Sequence, residues 1–180
     1  MFVNDANPQV VKEILSNVKI KNSVGMDGFK IDHLKIENTI NFLCPLINSI
    51  IKSDVWPDKL KTQVLRPIYK KGDKLNLDNY RPIALQPAIN KIIEKSFAMR
   101  IQNFLVRFNI ITENQYGFQK NKGTGEAIKD LNDKVTTALD KGKYTGLILI
   151  DLQKAFDTIS RKILLKKMEL FGMRGKILQI

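Results

Sequence analysis

The stretch Leu147 to Ile159, LILIDLQKAFDTI, constrains this chain more than any other. Aliphatic residues from Leu147 to Ile150 run straight into Asp151, and a continuous apolar run suits a strand covered on both faces. Such a strand carries the carboxylate to its end, where burying an unpaired charge costs several kcal/mol. Asp151 therefore needs a cation or strong donors. Mg²⁺ meets that need: in phosphoryl transfer, two such ions clamp the attacking and leaving oxygens, and carboxylates from neighbouring strand ends hold them. The competing reading has Asp151 simply capping the turn that follows. Nucleotide-binding loops also contain an aliphatic run ending in Asp, but they require a GxxxxGK[ST] segment, and none occurs.

Charge narrows the partner. Thirty Lys and Arg oppose eighteen Asp and Glu, a formal net charge of +12, which favours a polyanion such as nucleic acid over simple solvation of helix faces. The 180 residues suit one domain or a large piece of one, with 43% hydrophobic residues, enough for a real core. One cysteine, Cys44, sits in an apolar context and reads as a small buried hydrophobe in a reducing compartment. With His33 as the only histidine, a zinc site of soft ligands is excluded. No basic-then-apolar leader and no apolar run of about 18 residues is present, so the expectation is a soluble intracellular protein, nucleus or cytoplasm unspecified, with no membrane partner.

Periodicity places the elements. Asn7 and Pro8 read as cap and first position of a helix carrying Val10, Val11, Ile14, Leu15 and Val18 inward. The loop NSVGMDGF follows, then a helical region from Ile31 to Ile51 that stops near Trp56 and Pro57. QVLRPIYKK alternates like a strand, and Pro67 demands an edge or a gap there. With YRPIAL it predicts a basic antiparallel hairpin, Lys70 and Arg81 lying near its base. Pro87 opens an amphipathic helix whose inward face is Ile89, Ile92, Ile93, Phe97, Ile101, Phe104, Leu105 and Phe108. Ala127 to Leu139 make another helix ended by Gly142; Thr145 to Leu152 make the doubly covered strand; Arg161 to Leu170 make a basic helix ended by Gly172.

These residues together resemble a known family. DLQKAFDTI behind its aliphatic run looks like the first carboxylate motif of reverse transcriptases, in the form found in non-LTR (LINE-type, jockey-like) retrotransposons. VLRPIYKKGDKLNLDNYRPIAL is similar to the family's two fingers motifs, PAINKIIEK to the helix after them, and NQYGFQKNKGT to the next block. KILLKKMELFGMRGKIL resembles the stretch after the carboxylate motif, and SVGMDGF and the Trp56–Pro57 pair fall where the family has them.

The resemblance implies an α+β fold: right-hand polymerase fingers, helices plus a basic hairpin, over residues 1–143 with their N-terminal extension, and the beginning of the palm sheet over 144–180. It implies an RNA-directed DNA polymerase using two Mg²⁺, an RNA template, a DNA primer and deoxynucleoside triphosphates. Asp151 is the implied catalytic residue and metal ligand, helped by the backbone carbonyl of Leu152. Lys70, Arg81, Lys154, Ala155 and Phe156 are the implied nucleotide-binding residues, Phe156 as the steric gate against a 2′-hydroxyl; an ordinary core aromatic is its bland alternative. Asp157 supports the site or caps a helix without touching metal. Lys71, Lys74, Gln115 and Lys120 are candidate template contacts, the lysines otherwise solvated. The chain departs from the pattern at Gln119, where the family has Arg, and at Ser160–Arg161, where it often has Asp–His.

The adjacent aspartates that complete such a site are expected beyond Ile180, with the rest of the palm and the thumb, and no Asp–Asp pair occurs in the chain. Residues 1–180 alone are therefore expected not to polymerise. Two rival readings are a non-catalytic RNA- or DNA-binding module and a different Mg²⁺-dependent phosphotransferase, the latter needing carboxylates near Asp151 besides Asp157.

Overall fold

The computed structural model describes residues 4–19, 24–36, 38–152 and 155–178. Two compact units emerge, one of residues 1–104 with 168–180 and one of residues 105–167.

In the first unit, Asn7 caps helix α1 (Pro8–Asn17), its side chain accepting from the Gln9 amide at 2.8 Å. The helical region read from Ile31 to Ile51 is divided into a 3₁₀ turn (Ile31–Lys35) and helix α2 (Thr39–Ser53), which ends at left-handed Asp54. A short helix α3 (Asp58–Lys61), not foreseen from the sequence, precedes strands β1 (Val64–Tyr69) and β2 (Tyr80–Leu85); helix α4 (Ala88–Arg107) follows them. Val11, Ile14, Leu43, Ile47, Ile50, Ile92, Ile93 and Met173 are essentially removed from solvent and form the core. Cys44 is buried as expected; its thiol donates to the Ala6 carbonyl at 3.0 Å, and burial pushes its pKa up.

Only the first half of α4 behaves as read. Ile92, Ile93 and Phe97 are buried, and so are Ala88, Asn90 and Ser96, which the reading did not name as inward, while Phe108 is exposed. Elements press on the start of the helix from several sides, so amphipathic periodicity is an incomplete guide there.

The hairpin forms as predicted, its first strand shorter than the QVLRPIYKK stretch, and pairs Val64 with Leu85 through Tyr69 with Tyr80. Both strands carry Arg-Pro-Ile, and the register sets Pro67 opposite Pro82. The Lys70 amide donates to the Asn79 carbonyl at 2.8 Å, which makes 70 and 79 a hydrogen-bonded pair. Because bonded and non-bonded pairs alternate in an antiparallel ladder, the two prolines fall on a non-bonded pair and their missing N–H groups leave no gap.

The second unit holds helix α5 (Thr124–Asp140), a single turn α6 (Ala155–Thr158) and most of helix α7 (Arg161–Leu170). Gly142 (φ +67°) and Gly172 (φ +92°) terminate α5 and α7 in the left-handed conformation expected of them. The expected strand is absent. Residues 145–152 are neither paired nor covered, with Leu147, Ile148, Leu149 and Ile150 between 59% and 85% exposed. The physical reason is that a strand exists only through its ladder, and among the described residues no strand lies beside this one. The apolar run records what the segment needs rather than what these residues supply.

Candidate nucleotide and template site

The hairpin assembles its cations through register. Side chains alternate across a strand and directly paired residues share a face, so Arg66, Ile68 and Lys70 of the β1 side share one face with Ile83, Arg81 and Asn79 of the β2 side. Arg66, Lys70 and Arg81 thus form one exposed basic face. Lys70 and Arg81 lie at the turn end of the ladder, correcting the expectation that they sit at its base. The reason is the chain direction: β1 climbs toward Tyr69 and β2 descends from Tyr80.

Side chains brace the turn above them. The Tyr69 hydroxyl donates to the Gly72 carbonyl at 2.5 Å and that of Tyr80 to the Lys74 carbonyl at 2.9 Å. Asn79 Nδ2 donates to the Asp73 carbonyl at 2.8 Å, and the two tyrosine rings meet edge to face at 5.6 Å. Lys74 Nζ lies 5.9 Å from the Tyr69 ring centre, and Lys71 is exposed beside it. The candidate template lysines are thereby presented on an ordered turn.

In the second unit, Gln115 and Lys120 lie on a loop pinned to its surroundings. Lys122 Nζ donates to the Glu113 carbonyl at 2.7 Å and stands over the Tyr116 ring at 5.6 Å. Asp130 of α5 accepts from Lys134 at 2.7 Å, and Lys134 first and Tyr116 second hold that carboxyl below its usual pKa. Gln115 Nε2 reaches the Gly117 carbonyl at 3.4 Å, and Lys120 is exposed.

Asp151 and Leu152 are exposed at the end of the unpaired segment. Ala155, Phe156 and Asp157 form the α6 turn, with Asp157 in its first turn. Phe156 is exposed and meets Phe118 edge to face at 6.2 Å, Phe118 itself holding a left-handed backbone (φ +61°). That contact was not foreseen, because nothing in the sequence links residues 38 positions apart. Lys154 lies outside the described residues. Ser160, at a departure from the family pattern, caps α7: its carbonyl accepts from the Leu164 amide at 3.0 Å and its hydroxyl from the Ile163 amide at 3.4 Å.

A divalent metal goes with polymerases of this kind. Among the described residues no group of three His, Cys, Asp or Glu side chains is placed to hold one.

The basic hairpin, the braced loop and the carboxylate turn follow one another along the chain in that order. The chain belongs to the reverse transcriptase (RNA-dependent DNA polymerase) family, whose profile matches residues 68–180. It is of the non-LTR retrotransposon kind. It is 28% identical, over 90% of its length, to the probable RNA-directed DNA polymerase from transposon BS of Drosophila melanogaster. It is 30% identical over 87% of its length to the RNA-directed DNA polymerase from mobile element jockey of Drosophila funebris, and 29% over 67% to the probable RNA-directed DNA polymerase from transposon X-element of Drosophila melanogaster. The chain spans 18%, 18% and 13% of these relatives. Among the described residues no helix is long and apolar enough to cross a membrane.

Proposed function

We propose that residues 1–143 are the fingers, and 144–180 the first part of the palm, of an enzyme that copies retrotransposon RNA into DNA by Mg²⁺-dependent nucleotidyl transfer. The single observation that carries this reading is the register that puts Arg66, Lys70 and Arg81 on one exposed face. A forked guanidinium and a point-charge ammonium together suit a triphosphate. In this reading Asp151 and the Leu152 carbonyl hold metal once the remaining ligands join them, and Mg²⁺ supplies charge neutralisation there when bound. Lys154 and Ala155 offer amides to the phosphates, Phe156 lies under the sugar, and Asp157 supports the turn. Lys71, Lys74, Gln115 and Lys120 follow the RNA template. The exposed 147–150 run becomes an inner strand when the rest of the palm pairs with it, which matches its composition.

The test is dTTP incorporation on poly(A) primed with oligo(dT). A polypeptide extended to include the downstream Asp–Asp hairpin is expected to incorporate dTTP, and residues 1–180 alone are expected to incorporate none. Salt-dependent RNA binding by both, with incorporation by neither, would instead make the chain a non-catalytic binding module.

A further inference from the structure

Two sequence features have no role in the site described so far, the SVGMDGF loop and Trp56. Both converge on the first turn of α4, in the first unit. Pro87 precedes that helix and has no side-chain acceptor to offer its free amides. Asp27 supplies one from 61 positions upstream: its Oδ2 accepts from the Ala88 amide at 2.8 Å, and its Oδ1 from Phe29 in its own loop at 3.3 Å. The charge also suits the positive end of the helix. Gly25 brings the loop against the β2–α4 connection so closely that an added Cβ would lie 2.6 Å from the Gln86 carbonyl oxygen and 2.8 Å from the Pro87 nitrogen, both backbone atoms.

From the β1 side, Trp56 Nε1 donates to Asn90 Oδ1 at 3.0 Å while its ring lies 5.6 Å from that of Phe97. Asn90 Nδ2 in turn donates to Glu94 at 2.8 Å, and Gln86 Nε2 donates to the other Glu94 oxygen at 2.9 Å. Both approaches to the hairpin are thus tied to one helical turn. The hairpin itself is exposed on both faces, so its direction depends on its root. Arg81 is five residues from Gln86, about 16 Å along a strand, and a tilt of about 10° at the root moves it by about 3 Å. That displacement is as large as a hydrogen bond is long.

We propose that the Val24–Phe29 loop and Trp56 form a latch on the first turn of α4 that aims the hairpin, with Asp27 a positioning residue for Lys70 and Arg81. This rests on reading the hairpin face as the triphosphate site. The test is a ¹⁵N NMR titration of the 180-residue chain with dATP in EDTA, where side chains alone bind the phosphates.

Asp27→Ala is expected to weaken dATP binding at least threefold with the hairpin amides still dispersed. Asp27→Asn, which keeps an acceptor oxygen, is expected to restore most of it, and Asp27→Ala is expected to cost less in an Arg81→Ala background than in the unaltered chain, because only Lys70 is then left to be mis-aimed. Wild-type affinity in Asp27→Ala, with Arg81→Ala impaired, would overturn the latch and leave the hairpin reading standing. Wild-type affinity in Arg81→Ala would remove both. Should Asp27→Ala fail to fold, Trp56→Phe decides: it keeps a ring beside Phe97 and deletes the bond to Asn90, so threefold weakening supports the latch and wild-type affinity overturns it.

Discussion

Asp151→Asn, introduced into a polypeptide extended through the downstream palm, is expected to lower incorporation of dTTP on poly(A)/oligo(dT) by about a thousandfold or more, the scale seen when a group acting on the reacting charge is removed. Asparagine keeps the size and removes the charge. Because Asp151 is exposed in the 180-residue chain, the same substitution should leave thermal unfolding of that chain unchanged. The pairing of a large kinetic effect with no stability effect separates a chemical role from a turn cap, whose loss costs about 1 kcal/mol of stability. Equal incorporation by the variant would remove Asp151 from the chemistry.

Ile92→Ala is expected to cost about 2 to 5 kcal/mol in urea unfolding of the 180-residue chain, since Ile92 is fully buried and a cavity is left behind. Ile148→Ala is expected to cost less than about 0.5 kcal/mol in the same chain, because that side chain is 85% exposed. In the extended polypeptide the second substitution should become costly, for there the run would be paired and covered. A large loss at Ile148 in the short chain would show that the segment is already buried.

These contrasts mark where the sequence could be read. The hairpin, the Asn7 cap and the glycines ending α5 and α7 are set by neighbours in the chain, and each was legible from local pattern. The strand at 145–152 was not, because pairing is a property of two strands and the sequence shows one. The Asp27 cap was also hidden: a bond across 61 positions leaves no periodic trace, and an Asp in a Gly-rich loop reads first as turn chemistry. Within the candidate site, the residue types at Lys70, Arg81 and Phe156 were evident in advance. The shared face of the two cations and the Phe118 contact needed coordinates, since register and ring packing depend on partners.

The most direct measurement is the dTTP dependence of incorporation by the extended polypeptide carrying Arg81→Ala. Loss of a charge-assisted contact to phosphate, about 1.5 to 3 kcal/mol, predicts a rise in KM of about 10- to 150-fold. A KM equal to that of the unaltered polypeptide would contradict the assignment of the hairpin face to the incoming nucleotide.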